Sequence, residues 1–238
     1  MIPYPYLNQQ RKPPMTAAPP DPLHLAELIV ARLCHDLSGP IGPLAGMLEL
    51  ALEDPDAAEE ALSVMQETAA GLIARIRLLR SAWTGDCGAM DSAAIGVLVT
   101  NALARKQVTI DLSGLAAQPI PPATARLLLN VLMLGTESLP GGGTLACAGA
   151  PDGDIVISIA GPRAGWPPGL AACLVDPAAA WRLLEHPRDV QLPLVALLAS
   201  RPGPRLSLLF GAATAGGPPP LLISHRGLDP WTTRSPIS

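Results

Sequence analysis

Two apolar stripes at helical spacing, separated by a short acidic break, limit the possible folds of this chain more than any other feature. In the first, Ala26, Val30, Leu33, Leu37, Ile41, Leu44, Leu48 and Ala51 recur every three or four residues. That spacing places them on one side of an amphipathic helix of about seven or eight turns. Glu53-Asp54-Pro55-Asp56 then interrupts the pattern. In the second stripe, Leu62, Met65, Ala69, Leu72, Ile76 and Leu79 keep heptad spacing. Two such helices joined by a tight turn form an αα-hairpin. A lone hairpin cannot cover two stripes, so pairing with a second copy into a homodimeric four-helix bundle is expected.

The 238 residues leave room for a second domain with its own core. Ala and Leu supply that core, because the chain is 49% hydrophobic but only 3% aromatic, which favours helices over an aromatic-rich sandwich. A net charge of -4, with no Lys/Arg stripe, argues against nucleic acid as a partner. Cys34, Cys87, Cys147 and Cys173 are scattered without a C-x-x-C pair. This disfavours a disulfide scaffold or zinc ribbon and fits a reducing cytoplasm. Gly, Pro or charge breaks every apolar run well short of a membrane span. Residues 1–20 are polar and proline-rich, unlike a signal peptide. A soluble cytoplasmic protein is expected.

The pattern divides the chain into a disordered tail (1–20), the hairpin (21–82), a linker (83–91), an α+β domain (92–212) and a second disordered tail (213–238). Within the α+β domain, helices are expected over 92–105, 122–139, 168–175, 178–184 and 190–199. Strands are expected over 108–112, 144–148, 154–160 and 205–210, the middle two flanking a Pro-Asp-Gly-Asp turn. The result is a small sheet covered by helices.

One residue stands apart from the first stripe. At 100° per residue, His35 falls roughly 200° from Leu33 and Leu37 and so faces solvent. Arg32, Ser38, Ala31, Gly39, Gly42 and Gly46 lie within about 60° of it, leaving a face almost free of side-chain bulk. Each interior Gly costs about 1 kcal/mol against Ala and each interior Pro about 3. Gly39, Gly42, Gly46, Pro40 and Pro43 therefore burden this helix, and close approach of another protein's backbone is one demand that accounts for them. Gly39-Pro40 also reads as a helix stop, with a new helix from near Pro43. A bent but continuous helix is the alternative, favoured because Leu37, Ile41, Leu44 and Leu48 stay in phase across the break.

A neutral imidazole can attack an aspartyl phosphate and hold the phosphoryl group on a ring nitrogen. Asp36 could accept a hydrogen bond from the other nitrogen, and Arg32, one turn back, could balance the phosphoryl charge. The plainer alternative is an exposed imidazole flanked by solvated charges. Cys34 points about 100° away, which disfavours a Cys–His pair. His24, His186 and His225 lie in or near loop chemistry and are assigned no role.

Arg32-Leu33-Cys34-His35-Asp36, with Pro40 five residues beyond the histidine, resembles the phosphoacceptor box of sensor histidine kinases. It more closely resembles that of the ChpT-type histidine phosphotransferases, whose box reads RLCHD followed shortly by Ser-Pro. Arg126–Asn130, Ser138–Gly143 and Gly161–Ala164 extend the resemblance in order, over roughly 23–211. It implies a dimerised hairpin followed by a small α/β sandwich shaped like a kinase ATP-binding domain but holding no nucleotide. Kinases place a magnesium-binding Asn four residues after the position of Asn130, where this chain has Leu134. They end the hairpin strand with an adenine-binding Asp, where this chain has Ala160. No Gly-Lys-Ser/Thr follows Gly141–Gly143, so these glycines are not a phosphate loop.

The resemblance also implies a phosphorelay. A receiver domain of a CckA-type hybrid kinase would load His35, and CtrA-type response regulators would unload it. The receivers would supply Mg²⁺, and this chain neither metal nor ATP. His35 as phosphoacceptor, assisted by Asp36 and Arg32, with Ser38, Gly39, Gly42 and Gly46 as the docking face, make up the candidate site. Where the family often has Ser and phosphatase-competent kinases have Thr or Asn, this chain has Gly39, so strong phosphatase activity is not expected. Two other readings compete: an active kinase with an unusual nucleotide site, and a non-catalytic dimeric adaptor that sequesters a response regulator.

Overall fold

A computed structural model describes residues 21–85, 87–103, 107–115, 117–149, 153–211 and 217–224. Helix α1 (Pro22–Glu53) begins at Asp21, whose carboxylate accepts from the backbone N–H groups of Leu23 and His24. Pro22, at the first helical position, pre-sets the backbone there. The helix then runs unbroken for 32 residues, with Pro40 and Pro43 inside it. At about nine turns it is longer than the spacing implies, and the apolar phase prevails over the Gly-Pro stop signal. After the acidic turn, α2 (Ala58–Trp83) packs back along α1.

The stripes divide their exposure. Leu33, Leu37 and Leu44 are half-buried within the chain. By contrast, Val30, Ile41 and Leu48 of α1 and Leu62, Ile73 and Ile76 of α2 remain 45–56% exposed. The expected surplus of apolar surface is therefore present on the outside of the hairpin.

Beyond it come α3 (Ser92–Leu103), β1 (Val108–Leu115), α4 (Pro122–Glu137), β2 (Gly143–Gly149) and β3 (Ile155–Ala160). There follow α5 (Leu170–Val175), α6 (Ala178–Arg182), a 3-10 turn (Pro187–Asp189), α7 (Gln191–Ala199), β4 (Arg205–Leu208) and β5 (Leu221–Ser224). The fold is α+β, with a five-stranded mixed sheet in the order β1-β2-β3-β5-β4. Among the described strands only β1 and β2 run parallel, and α4 connects them. Burial alternates along β3, with Ile155, Ile157 and Ile159 facing the core, as a sheet covered on one face requires.

The expected disordered segment 213–238 is corrected for part of its length. Leu221–Ser224 forms β5, seated between β3 and β4, with Leu221 and Ile223 fully buried. Pro218–Pro220 lead into the strand instead of closing the domain, and the apolar run after them is too short to stand out as a strand in sequence. The expected tail 1–20, and residues 213–216 and 225–238, lie outside the described residues. The expected linker is also tied down, since Met90 and Ile120 exchange both backbone hydrogen bonds, at 3.2 and 2.7 Å.

Helix α4 is buried almost throughout, because α2, α3, α7 and β2 all pack against it. Asn130, fully buried, donates to the carbonyls of Ala82 and Arg126 at 2.9 Å, and Gln191 donates to its side-chain oxygen at 3.1 Å. Leu78, Leu79 and Ala82 of α2 belong to the same core as α4. The hairpin is thus fixed at its base to the second domain, which brings the end of α4 alongside α1.

Candidate functional site

His35 projects from the middle of α1 with its side chain 65% exposed. Asp36, one residue on, turns inward and is only 10% exposed. Its Oδ1 lies 3.3 Å from His35 Nδ1. Its Oδ2 accepts from Arg32 Nε at 2.9 Å and from Arg75 Nη2, on α2, at 2.7 Å. Arg32 also donates from Nη2 to Glu137 Oε1 at 2.7 Å and from Nη1 to the Arg188 carbonyl at 3.0 Å. One hydrogen-bonded network therefore joins both hairpin helices, the end of α4 and the 3-10 turn.

This network sets the chemistry of the ring. Burial alone would raise the Asp36 pKa, but the hydrogen bonds and charges of Arg75 and Arg32 outweigh it and hold the carboxyl below its ordinary value. An ionised carboxylate can only accept, so the His35 nitrogen facing it carries the proton. That leaves Nε2 with its lone pair, on the ring's other side. For Arg32, the contacts with Asp36 and Glu137 outweigh burial and raise the pKa, so its charge is locked in.

The sequence-expected residues separate into two groups. His35 and Asp36 meet as expected. Arg32 is adjacent, but its guanidinium, 12% exposed, is engaged by Asp36, Glu137 and the Arg188 carbonyl, so it acts as a strut. Ser38 donates back to the His35 carbonyl at 3.3 Å. Around Gly39, Gly42 and Gly46, a built Cβ would meet nothing within 4 Å. Packing inside the chain therefore does not require them, and the face they form is open. Gly42→Ala is accordingly expected to raise stability by about 0.5–1 kcal/mol, seen as a higher melting temperature.

Arg75, Glu137 and Arg188 were not legible as site residues, because the fold, not sequence spacing, brings them to Arg32 and Asp36. Across an open groove of ≈ 430 Å³, His35, Ala31 and Arg32 face His186, Pro187, Arg188 and Asp189 of the second domain. The groove's two walls are clamped together above it. Leu28 of α1 packs with Leu184 and Val190, and His24 Nε2 donates to the Leu184 carbonyl at 2.9 Å.

Residues 92–213, just over half of the chain, match the family profile of the histidine phosphotransferase C-terminal domain. The chain belongs to this phosphotransferase family. Protein phosphotransferase ChpT of Brucella abortus (strain 2308) is 31% identical over 131 residues. That match covers 52% of this chain and 60% of the relative, so it spans less than two thirds of the relative's length. A solved 1.7 Å structure of a bacterial phosphotransferase aligns over 87% of this chain and 98% of its own, with a TM-score of 0.68 and 26% identity. An alignment of that extent takes in the hairpin carrying His35 as well as the profile-matched domain. Together these likenesses make the chain a ChpT-type phosphotransferase. No helix among the described residues is long and apolar enough to cross a membrane.

Proposed function

We propose that the chain is the intermediary of a phosphorelay, accepting a phosphoryl group on His35 Nε2 from one receiver-domain aspartate and passing it to another. The observation that carries this is the exposed imidazole whose Nδ1 lies against the buried, ionised Asp36. Both exchanges trade one high-energy bond for another, so orientation and charge screening suffice. The reading takes a CckA-type hybrid kinase as donor, CtrA-type regulators as acceptors, Mg²⁺ from the receivers, and a cytoplasmic setting. It assigns no ATP use, because Leu134, buried, and Ala160 offer neither a metal ligand nor an adenine anchor. Gly39, Gly42 and Gly46 let the receiver backbone approach the ring.

The same reading makes the protein a homodimer through the exposed stripe. Val30, Ile41 and Leu48 lie roughly 120–140° around α1 from His35, so pairing there leaves the imidazole free. Ile41→Glu is expected to convert the dimer to monomer in sedimentation equilibrium, while the wild-type chain sediments at twice its chain mass.

The function is tested by offering the chain a panel of phosphorylated receiver domains and, separately, labelled ATP alone. Label from at least one receiver and none from ATP is the expected result. Self-labelling by ATP would make the protein a kinase. Stable receiver binding without any label would make it an adaptor.

A further inference from the structure

We propose that Arg188, on the 3-10 turn of the second domain, is the cation that contacts the phosphoryl group in transit. The inference rests on the phosphotransfer reading and assigns that site a catalytic residue outside the helical box. A phosphoryl group approaching His35 brings negative charge, and neither hairpin arginine of the Asp36 network is free to meet it, while Arg77 of α2 does not line the groove. Arg32 is held by two carboxylates and a carbonyl, and Arg75 by Asp36. Arg188 lines the same groove as His35, is exposed, and its guanidinium has no hydrogen-bond or ion-pair partner among the described residues.

Its backbone is fixed where its side chain is free. The Arg188 carbonyl accepts from Arg32 Nη1 at 3.0 Å. Two residues on, Val190 is fully buried against Leu28 of α1. The side chain therefore extends from an anchored point on the wall opposite the imidazole. Asp189 lines that wall too. Its carboxylate repels an incoming phosphate, which makes a neighbouring cation the more necessary.

In the step, the His35 Nε2 lone pair forms the new P–N bond. The P–O bond to the donor aspartate breaks, and its electron pair returns to the carboxylate. The Nδ1 proton stays between the ring and Asp36. Charge on the transferring group spreads over its equatorial oxygens, and a planar guanidinium can meet two of them at once.

The test uses the full chain with Arg188→Ala and Arg188→Lys. Each is treated with phosphoramidate, a small phosphodonor, and with whichever phosphorylated receiver domain labels wild type fastest. Arg188→Ala is expected to lower the His35 labelling rate from both donors by about tenfold or more, with Lys restoring much of it. The half-saturating receiver concentration should shift by less than about threefold, and the melting temperature should hold because the side chain is exposed. Wild-type rates in Arg188→Ala would overturn the proposal. So would a change confined to the half-saturating concentration, which would make Arg188 a docking contact. Failure of wild type itself to label at His35 would remove the phosphotransfer reading and this inference with it, whereas equal labelling of wild type and Arg188→Ala removes only the inference.

Discussion

Replacing His35 with alanine is expected to abolish phosphoryl acceptance, a fall of roughly 10⁴-fold or more to background, while leaving fold and oligomeric state unchanged. The size of the effect follows from the chemistry, since without Nε2 no other nucleophile in the groove is positioned by a buried partner. His186 lines the opposite wall, but among the described residues no carboxylate pairs with its ring. The absence of structural damage follows from exposure. The imidazole is mostly in solvent, and its one polar contact, to Asp36, is redundant for the carboxylate, which keeps both arginines. Alanine also favours helix over histidine by a few tenths of a kcal/mol. Label transfer from a phosphorylated receiver, read beside a thermal melt, checks both halves.

Asp36→Asn is expected to do what His35→Ala does not, damaging both stability and transfer. Asp36 Oδ2 neutralises Arg32 and Arg75 together, and Arg75 Nε is already buried without a hydrogen-bond partner. Removing the charge leaves Arg32 with Glu137 alone and Arg75 with no carboxylate among the described residues, at a cost of about 2–4 kcal/mol for a mostly buried network. Transfer should fall by roughly 10²-fold, the usual contribution of a positioned proton acceptor, because an amide can present N–H as readily as oxygen to the ring. The pH dependence has a definite sign. The folded-state pKa of Asp36 is lowered, so its contribution is complete above the ordinary carboxylate value of about 3.9. It is lost only as pH falls through the lowered value. The stability gap between wild type and Asp36→Asn should therefore be flat from about pH 5 to 8 and close only in stronger acid. Denaturant melts across that range measure it.

Much of this site was legible because helical periodicity is local information. The stripe Ala26–Ala51 placed His35 outward, and its phase across Gly39-Pro40 identified one continuous helix where the dipeptide alone suggests a stop. The regular elements of the second domain were found where strand and helix patterns are long. β5 was missed because four residues after a proline run carry too little pattern, and its place in the sheet depends on β3 and β4. The network around Asp36 was only half legible. Arg32 and Asp36 are one helical turn apart and could be paired from spacing, but Glu137 and Arg188 reach Arg32 across more than a hundred residues of chain. Arg32, expected to balance the phosphoryl charge, has its guanidinium engaged by Asp36, Glu137 and the Arg188 carbonyl. Its charge is matched by groups that sequence spacing does not bring near it.

The account turns on one nitrogen atom, so the most direct measurement is to locate the transferred group. The wild-type chain would be loaded from a phosphorylated receiver domain, one portion quenched in base for peptide mapping and another kept folded near neutral pH for phosphorus–proton correlation in the intact protein. The phosphoryl group is predicted on Nε2 of His35, with the Nδ1 proton retained. Phosphate on Nδ1, on His186 or on any other residue would contradict the account.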